Sequence, residues 1–283
     1  MKIAALLATY NRKAKTITCL ESLRRQVLPE GASVEVFLTD DASSDGTAEA
    51  VKSSFPDVNI YNGSGTLFWA GGMRNSWSRA LASKPDYYLL LNDDTELTNN
   101  AVSELFKHGA SQTRGDMSPP ICIGSTMDMQ TGEISYGGKK LRSKIRIAND
   151  NVFSKTECME CDLGNANIML VPKQVVAKIG ILSTAFTHGL ADYDYTLRAK
   201  KAGFTVIVVP GVLGHCIDDH GRNWKSNNVT LRDRIKYLKS PKGLAYKEYL
   251  NFIRKHFPLH LPSAFLKLWM KTLFPFVWDH FKK

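Results

Sequence analysis

Residues 87–94 read Tyr-Tyr-Leu-Leu-Leu-Asn-Asp-Asp. A short apolar run that stops abruptly at polar residues is the pattern of a strand buried on both faces, as in a parallel sheet covered by helices. Burying it leaves Asp93 and Asp94 side by side at its carboxyl end. The pattern recurs upstream, where Val34-Glu35-Val36-Phe37-Leu38-Thr39 ends in Asp40-Asp41-Ala42-Ser43-Ser44-Asp45-Gly46-Thr47. Between and before these runs, Lys2–Thr9 is a further apolar strand, 14–28 has helical periodicity, 47–54 is a helix and 58–61 a short strand. A glycine-rich stretch over 63–72 leads into a helix expected at 73–83. Strand–loop–helix units thus repeat roughly every 30 residues, the signature of an α/β fold with a parallel sheet. In such sheets ligands bind outside the carboxyl ends of the strands, where the acidic pairs fall.

The rest of the chain is mixed. Helices are expected at 100–112, 173–179 and 192–202, and strands near 121–126, 133–136, 167–171 and 204–209, with a surface loop over 139–157. The sequence divides into a first part, 1–225, whose halves 1–100 and 101–225 differ in pattern, and a helical tail, 226–283, broken at Pro241, Pro258, Pro262 and Pro275.

Composition narrows the function classes. The chain has 283 residues, 23% charged and 43% hydrophobic, which excludes wholesale disorder and a disulfide scaffold. Five cysteines form a sparse, odd set that suits a reducing compartment. Cys158-x-x-Cys161 lacks a second ligand pair at zinc-site spacing. The apolar run at the N-terminus is too short to span a bilayer. The net charge is +10, yet from Arg234 to Lys283 there are eleven basic and two acidic residues, so the first 233 residues are almost neutral. A nucleic-acid binder would need that charge on the folded domain; here it lies in an aromatic-rich tail. Phe265, Leu268, Trp269, Leu273, Phe276 and Val277 recur at helical spacing, with Lys267 and Lys271 off that face. A basic aromatic amphipathic helix over 262–283 suits the surface of an anionic membrane. The same face could instead pack on the domain.

Two carboxylate pairs at neighbouring strand ends repel unless a cation or a donor-rich ligand joins them. All-oxygen ligation suits Mg²⁺ or Mn²⁺, and a site with few protein carboxylates shares its metal with phosphates. Helix capping is the plain alternative for either cluster alone, since Ser43, Ser44 and Asp45 are good cap residues. His215 follows the apolar run Val206–Pro210 and is either a further ligand or a structural histidine. Trp69, Asn165, His188 and Trp224 are candidate ligand contacts, each equally able to serve the core.

Thr9-Tyr10-Asn11-Arg12, Asp40–Thr47, Gly71-Gly72-Met73-Arg74-Asn75, Asn92-Asp93-Asp94 and Asp192-Tyr193-Asp194-Tyr195-Thr196-Leu197-Arg198-Ala199, in that order, resemble the successive motifs of glycosyltransferase family 2. The resemblance covers residues 1 to about 220. It implies a GT-A fold and inverting transfer of a sugar from a nucleotide diphosphate donor, such as a UDP- or dTDP-sugar. It also implies roles: Thr9, Asn11, Arg12, Asp40, Asp41, Gly72, Arg74 and Asp93 for the donor, with Arg74 at a helix start reaching the diphosphate; Asp94 and His215 for Mn²⁺ or Mg²⁺; and Asp192 for the base. Asn92 and Ala191 stand where the family carries acidic residues, so Asp93 against Asp94 as ligand, and Asp192 against Asp194 as base, stay open at this level. In character the chain resembles bacterial hexosyl- and rhamnosyltransferases of O-antigen or capsule assembly. That implies a glycan or polyprenyl-linked acceptor, and a cytoplasmic enzyme peripheral on the inner face of the membrane. A sugar-nucleotide nucleotidyltransferase and a non-catalytic membrane-associated binding protein are the rival readings; the first would want a glycine-rich basic loop after the first strand.

Overall fold

The computed structural model describes residues 1–113, 118–217 and 229–276. The first half alternates as the sequence dictates: β1 (Lys2–Thr9), α1 (Lys13–Arg24), β2 (Ser33–Asp40), α2 (Thr47–Ser54), β3 (Asn59–Asn62), α3 (Phe68–Ala80), β4 (Tyr87–Leu91), β5 (Glu96–Leu97) and α4 (Ala101–Gln112). There follow β6 (Ile121–Met127), β7 (Ile134–Tyr136), β8 (Gly138–Leu141), β9 (Asn149–Val152), β10 (Met159–Glu160), β11 (Leu163–Gly164), β12 (Ile168–Pro172), α5 (Lys173–Ile179), α6 (Ala191–Lys201) and β13 (Val206–His215). The tail gives α7 (Leu231–Lys239), α8 (Tyr246–His256) and α9 (Leu261–Leu273).

The main sheet runs β10-β13-β6-β12-β4-β1-β2-β3, with β5 on β13 and β7 on β6. Strands β1, β2, β3 and β4 pair in parallel, as do β6 and β13, while β12 runs antiparallel between β4 and β6. The register Thr9↔Asp40 sets the ends of β1 and β2 side by side. The pairing Ile168↔Leu91 brings the start of β12 against the end of β4. One rim of the sheet therefore carries the segments 9–12, 40–45, 92–94 and 165–167.

Two apolar layers flank the sheet. Leu7, Leu20, Leu38, Leu89, Leu91 and Leu105 fill one, and Met73, Trp77, Leu90, Tyr195, Phe186 and Phe252 the other. The second includes the tail, since Phe252, Ile253 and Phe257 are buried in it.

Three expectations are corrected. The stretch 139–157 is not a plain loop: β8, β9 and β11 form a separate three-stranded sheet, whose edge strands, a polar β9 and a two-residue β11, are too short to stand out in sequence. Helix α3 begins at Phe68 and contains Gly71 and Gly72, the last two glycines of the stretch expected to precede it. Pro262 does not break the tail, because it sits in the first turn of α9, where its missing N–H has no helical partner to lose.

Candidate active site

The loop after β1 is stitched to the loop after β2. Asn11, with a left-handed φ of 51°, donates its N–H to Ser43 Oγ at 2.8 Å and accepts the N–H of Ser44 at 2.7 Å on its side-chain oxygen. Thr9 is buried, its hydroxyl 2.8 Å from that of Thr16. Asp40 and Asp41 are both buried. Asp40 accepts the N–H of Ser43 at 2.8 Å; Asp41 accepts those of Gly65 and Phe68 at 2.8 and 3.0 Å. Asp41 thus holds the turn that starts α3, and it does so across a close approach: a Cβ on Gly63 would lie 2.8 Å from Asp41 Cα. Phe68 itself has φ +52°, a strained value for an aromatic residue that such a fixed turn sustains.

Because the helix starts there, Gly72 and Arg74 do not form a phosphate-binding helix N-terminus. Gly72 is buried and faces β1, where a Cβ would meet Ala8 Cβ at 2.7 Å. Arg74 donates Nη1 to the carbonyls of Ser183 and Phe186 at 2.9 and 2.7 Å, fastening the segment before α6. Burial lowers its pKa, with the charge of Glu248 opposing.

At the end of β4, Asp93 is buried and Asp94 is nearly so. Burial pushes the Asp93 carboxyl up to about 6, against the pull of the Arg12 guanidinium and with the charge of Asp94. Arg12 lies across the pair, bonding Asp94 and standing 3.5 Å from Asp93; Lys15 Nζ is 4.0 Å from Asp94. Arg12 therefore neutralises the acidic pair in this structure rather than standing open for a donor. Asn92 accepts Trp69 Nε1–H at 2.7 Å, so Trp69 borders the same pair.

The far side of the rim is β12 and α6. Asp192 lies in the first turn of α6, after Leu190 in a left-handed conformation (φ 66°). Its Oδ1 accepts the N–H of Tyr193 at 2.8 Å; its Oδ2 accepts from Ala166 N and Asn165 Nδ2 at 3.3 and 3.4 Å. Burial raises its pKa, and those hydrogen bonds oppose the rise. Asn167 O in turn accepts the N–H of Asn92 at 3.2 Å. The strand start 165–167 therefore joins Asp192 to the acidic pair. Asp194, two residues on, is fully buried and spent: Arg198 Nε at 2.9 Å, Lys255 Nζ at 2.6 Å and His256 Nε2 at 2.8 Å surround it. Burial opposes its ionisation, but the bonds from His256 and Lys255 and the charges of Lys255 and Arg198 prevail and bring it down to about 2. Of the two carboxylates, only Asp192 has the environment of a proton acceptor.

His188 sits in the segment before α6 with its ring 6.3 Å from that of Phe68. His215 ends β13, in register with Glu96. Its Nδ1 is buried without a hydrogen-bond partner among the described residues, and the thiol of the adjoining Cys216 lies 3.6 Å from Asp94 Oδ1. Among the described residues no three His, Cys, Asp or Glu side chains converge as a ready-made metal cage. One carboxylate and one orphaned imidazole nitrogen on the same rim fit a cation whose remaining ligands are phosphate oxygens and water. Trp224 lies outside the described residues.

Sequence reasoning missed three contributors. Lys15 is an ordinary helix-face lysine in the sequence. Ala166 acts through its backbone N–H, which no side-chain pattern reveals. Glu248, in the tail, accepts the N–H of Thr187 at 3.0 Å and bonds its hydroxyl, so it fixes the loop ahead of α6.

Residues 5–117 match the family model described as glycosyl transferase family 2. Two solved structures align over nearly the whole chain. A mannosyltransferase from Pyrobaculum calidifontis, in complex with GDP-Man and Mn²⁺, shares 15% identity at a TM-score of 0.57, covering 95% of this chain and 69% of its own. Residues 1–349 of TarS from S. aureus, in complex with UDP, share 14% identity at a TM-score of 0.51, covering 91% of this chain and 72% of its own. No curated protein matches the chain. Residues 5–117 thus resemble glycosyltransferase family 2, and the sheet, with β12 antiparallel between β4 and β6, has the GT-A fold of these two structures.

Proposed function

We propose that the chain transfers a sugar, with inversion, from a nucleoside diphosphate donor to a hydroxyl of a glycan or polyprenyl-linked glycan. The observation that carries this reading is the placing of Asp192, a half-buried carboxyl of raised pKa, on one rim with Asp93, Asp94 and His215. A raised carboxyl pKa is what a general base needs to take a proton near neutral pH.

In the transfer, the Asp192 carboxylate accepts the proton of the acceptor hydroxyl as that oxygen forms its bond to C1. The bond from C1 to the diphosphate oxygen breaks on the opposite face, and its electron pair leaves with the nucleoside diphosphate. Tyr193 N–H, Ala166 N–H and Asn165 hold the carboxylate in place for this step. Asn11, Asp40 and Asp41 shape the base and ribose end through the two joined loops. Asp94 and His215 would hold Mn²⁺ or Mg²⁺, whose chemistry is to neutralise charge on the departing diphosphate. Trp69, which borders the acidic pair, and His188, against the Phe68 ring, would line the sugar pocket.

The motifs read from the sequence further support an acceptor of bacterial surface polysaccharide, O-antigen or capsule, with the enzyme working at the cytoplasmic face. No helix among the described residues is long and apolar enough to cross a membrane. The complexes of the two structural neighbours support a nucleoside diphosphate donor and a divalent metal. Thermal-shift titration with UDP, dTDP, GDP, CMP and ATP, each with Mn²⁺, Mg²⁺ or chelator, tests the donor half. Stabilisation by one diphosphate that requires both metal and Asp94 is expected. Absence of any shift with every diphosphate would remove the donor site.

A further inference from the structure

Helix α9 is apolar on both sides. Ala264, Leu268 and Thr272 are buried against the body, while Phe265, Leu266, Met270 and Leu273 on the opposite arc are exposed, Leu266 by 61%. A surface helix ordinarily turns charge away from the core; here Lys267 and Lys271 only flank the outer arc. The apolar surface continues past the helix through Phe274 and Phe276, the latter 62% exposed. At its edge the rings of Trp269 and Tyr246 lie 5.9 Å apart, with Trp269 Nε1 donating to the Tyr246 hydroxyl at 3.3 Å. Aromatic groups with an apolar body and a polar tip favour a boundary between lipid and water.

Beside this face, between α7 and α9, lies a cavity of about 210 Å³ lined by Arg234, Tyr237 and Lys271 together with Val229, Asp233 and Leu244. Arg234 Nε is buried and has no hydrogen-bond acceptor among the described residues. The Asp233 carboxylate accepts the hydroxyl of Thr230 at 2.7 Å, the residue whose side chain caps α7. A buried guanidinium donor without an acceptor is an unmet demand for an anion.

We propose that this surface lies on an anionic phospholipid bilayer, with the outer arc of α9 at the headgroup–acyl boundary and a lipid phosphate in the cavity accepting from Arg234 Nε beside Lys271. The charge of the tail complements such a surface: eleven basic and two acidic residues follow from Arg234 onward. Apolar burial and electrostatic attraction act together at this kind of interface. The assignment does not rest on the transferase reading, and vesicle binding is measured without donor or acceptor.

Flotation of the full chain with vesicles of phosphatidylcholine, alone or mixed with phosphatidylglycerol, tests it. Recovery with the mixed vesicles, and not with phosphatidylcholine alone, is expected. Arg234→Gln should weaken partition onto the mixed vesicles by about fivefold, the worth of one basic residue at such a surface. Leu266→Ser with Phe276→Ser should abolish it while thermal unfolding stays unchanged, because both side chains are exposed. No recovery with the mixed vesicles overturns the proposal. So does a dimer in equilibrium sedimentation that Leu266→Ser dissociates, which would give the face to a second copy. Equal partition of Arg234→Gln and wild type, or Arg234-dependent stabilisation by inorganic phosphate as large as that by vesicles, overturns the lipid phosphate site.

Discussion

His256 Nε2 donates to Asp194 Oδ1 at 2.8 Å, so the last residue of α8 is fastened to the first turn of the helix that carries Asp192. Burial lowers the pKa of His256, and Asp194 only partly restores it. The imidazole therefore serves as a neutral donor, and the charge of Asp194 is met by Arg198 and Lys255. Removing the carboxylate leaves two cations without their buried partner. Asp194→Ala should cost about 3–5 kcal/mol in chemical denaturation. The folded-state pKa of Asp194 lies below its unfolded value, so its contribution is full above about pH 4 and fades as the pH falls through about 2. A variant that unfolds with wild-type stability at neutral pH would contradict this role.

Asp192 should set the acid limb of the pH–rate profile. Burial raises its pKa, so protonation abolishes the base at a higher pH than for an ordinary carboxylate, and kcat falls below that point. Asp192→Asn should lower kcat by about 10²–10⁴-fold while leaving donor stabilisation intact. Asn165 donates to the carboxylate and so favours its charged form. Asn165→Ala should move the acid limb to still higher pH. An unmoved acid limb would mean that Asn165 does not hold the carboxylate during catalysis.

Much of this was legible in the sequence, for physical reasons that also mark its limits. The run Tyr87–Asp94 shows a buried strand with its carboxylates at the rim because a fully apolar segment has few other uses. Whether a strand runs parallel or antiparallel leaves no such trace: Ile168–Pro172 is as apolar as Tyr87–Leu91, yet it enters the sheet reversed. Helix α3 starts ahead of the position its glycines suggest because the carboxylate that holds its first turn, Asp41, comes from 27 residues earlier in the chain. Asp192 and Asp194 look alike in sequence and are separated by their partners in the fold, Ala166 and Asn165 for the first, Arg198 and the tail's Lys255 and His256 for the second. The tail's apolar residues showed the right period, but Leu268 faces the body while Leu273 faces outward, and only packing divides them.

At the proposed metal site, Arg12 and a divalent cation would compete for the Asp94 carboxylate. The guanidinium bonds Asp94 and approaches Asp93, and with Lys15 it supplies the balancing charge. Arg12→Gln should lower the metal-free stability by about 1–2 kcal/mol, reduced from a buried pair's worth by the exposure of Arg12. Mn²⁺ should then bind more tightly than to wild type in calorimetry, since it no longer displaces a resident cation. Asp94→Ala should abolish that binding. Equal Mn²⁺ affinity in Arg12→Gln and wild type would place the ion away from this pair.

Gly72 separates a packing role from a ligand role. A methyl group there would lie 2.7 Å from Ala8 Cβ, on a strand whose own position is fixed by neighbours on both sides. Helix α3 would have to lift from β1, and overpacking of this kind costs about 1–3 kcal/mol. Gly72→Ala should therefore lower the melting temperature, while the stabilisation produced by saturating nucleoside diphosphate and Mn²⁺ stays the same. A phosphate-contacting glycine would give the opposite outcome, with stability kept and the ligand-induced shift lost. The orientation of Gly72 toward Ala8 decides for the first: its Cα hydrogen points into the sheet, and the backbone of that turn is enclosed by the helix.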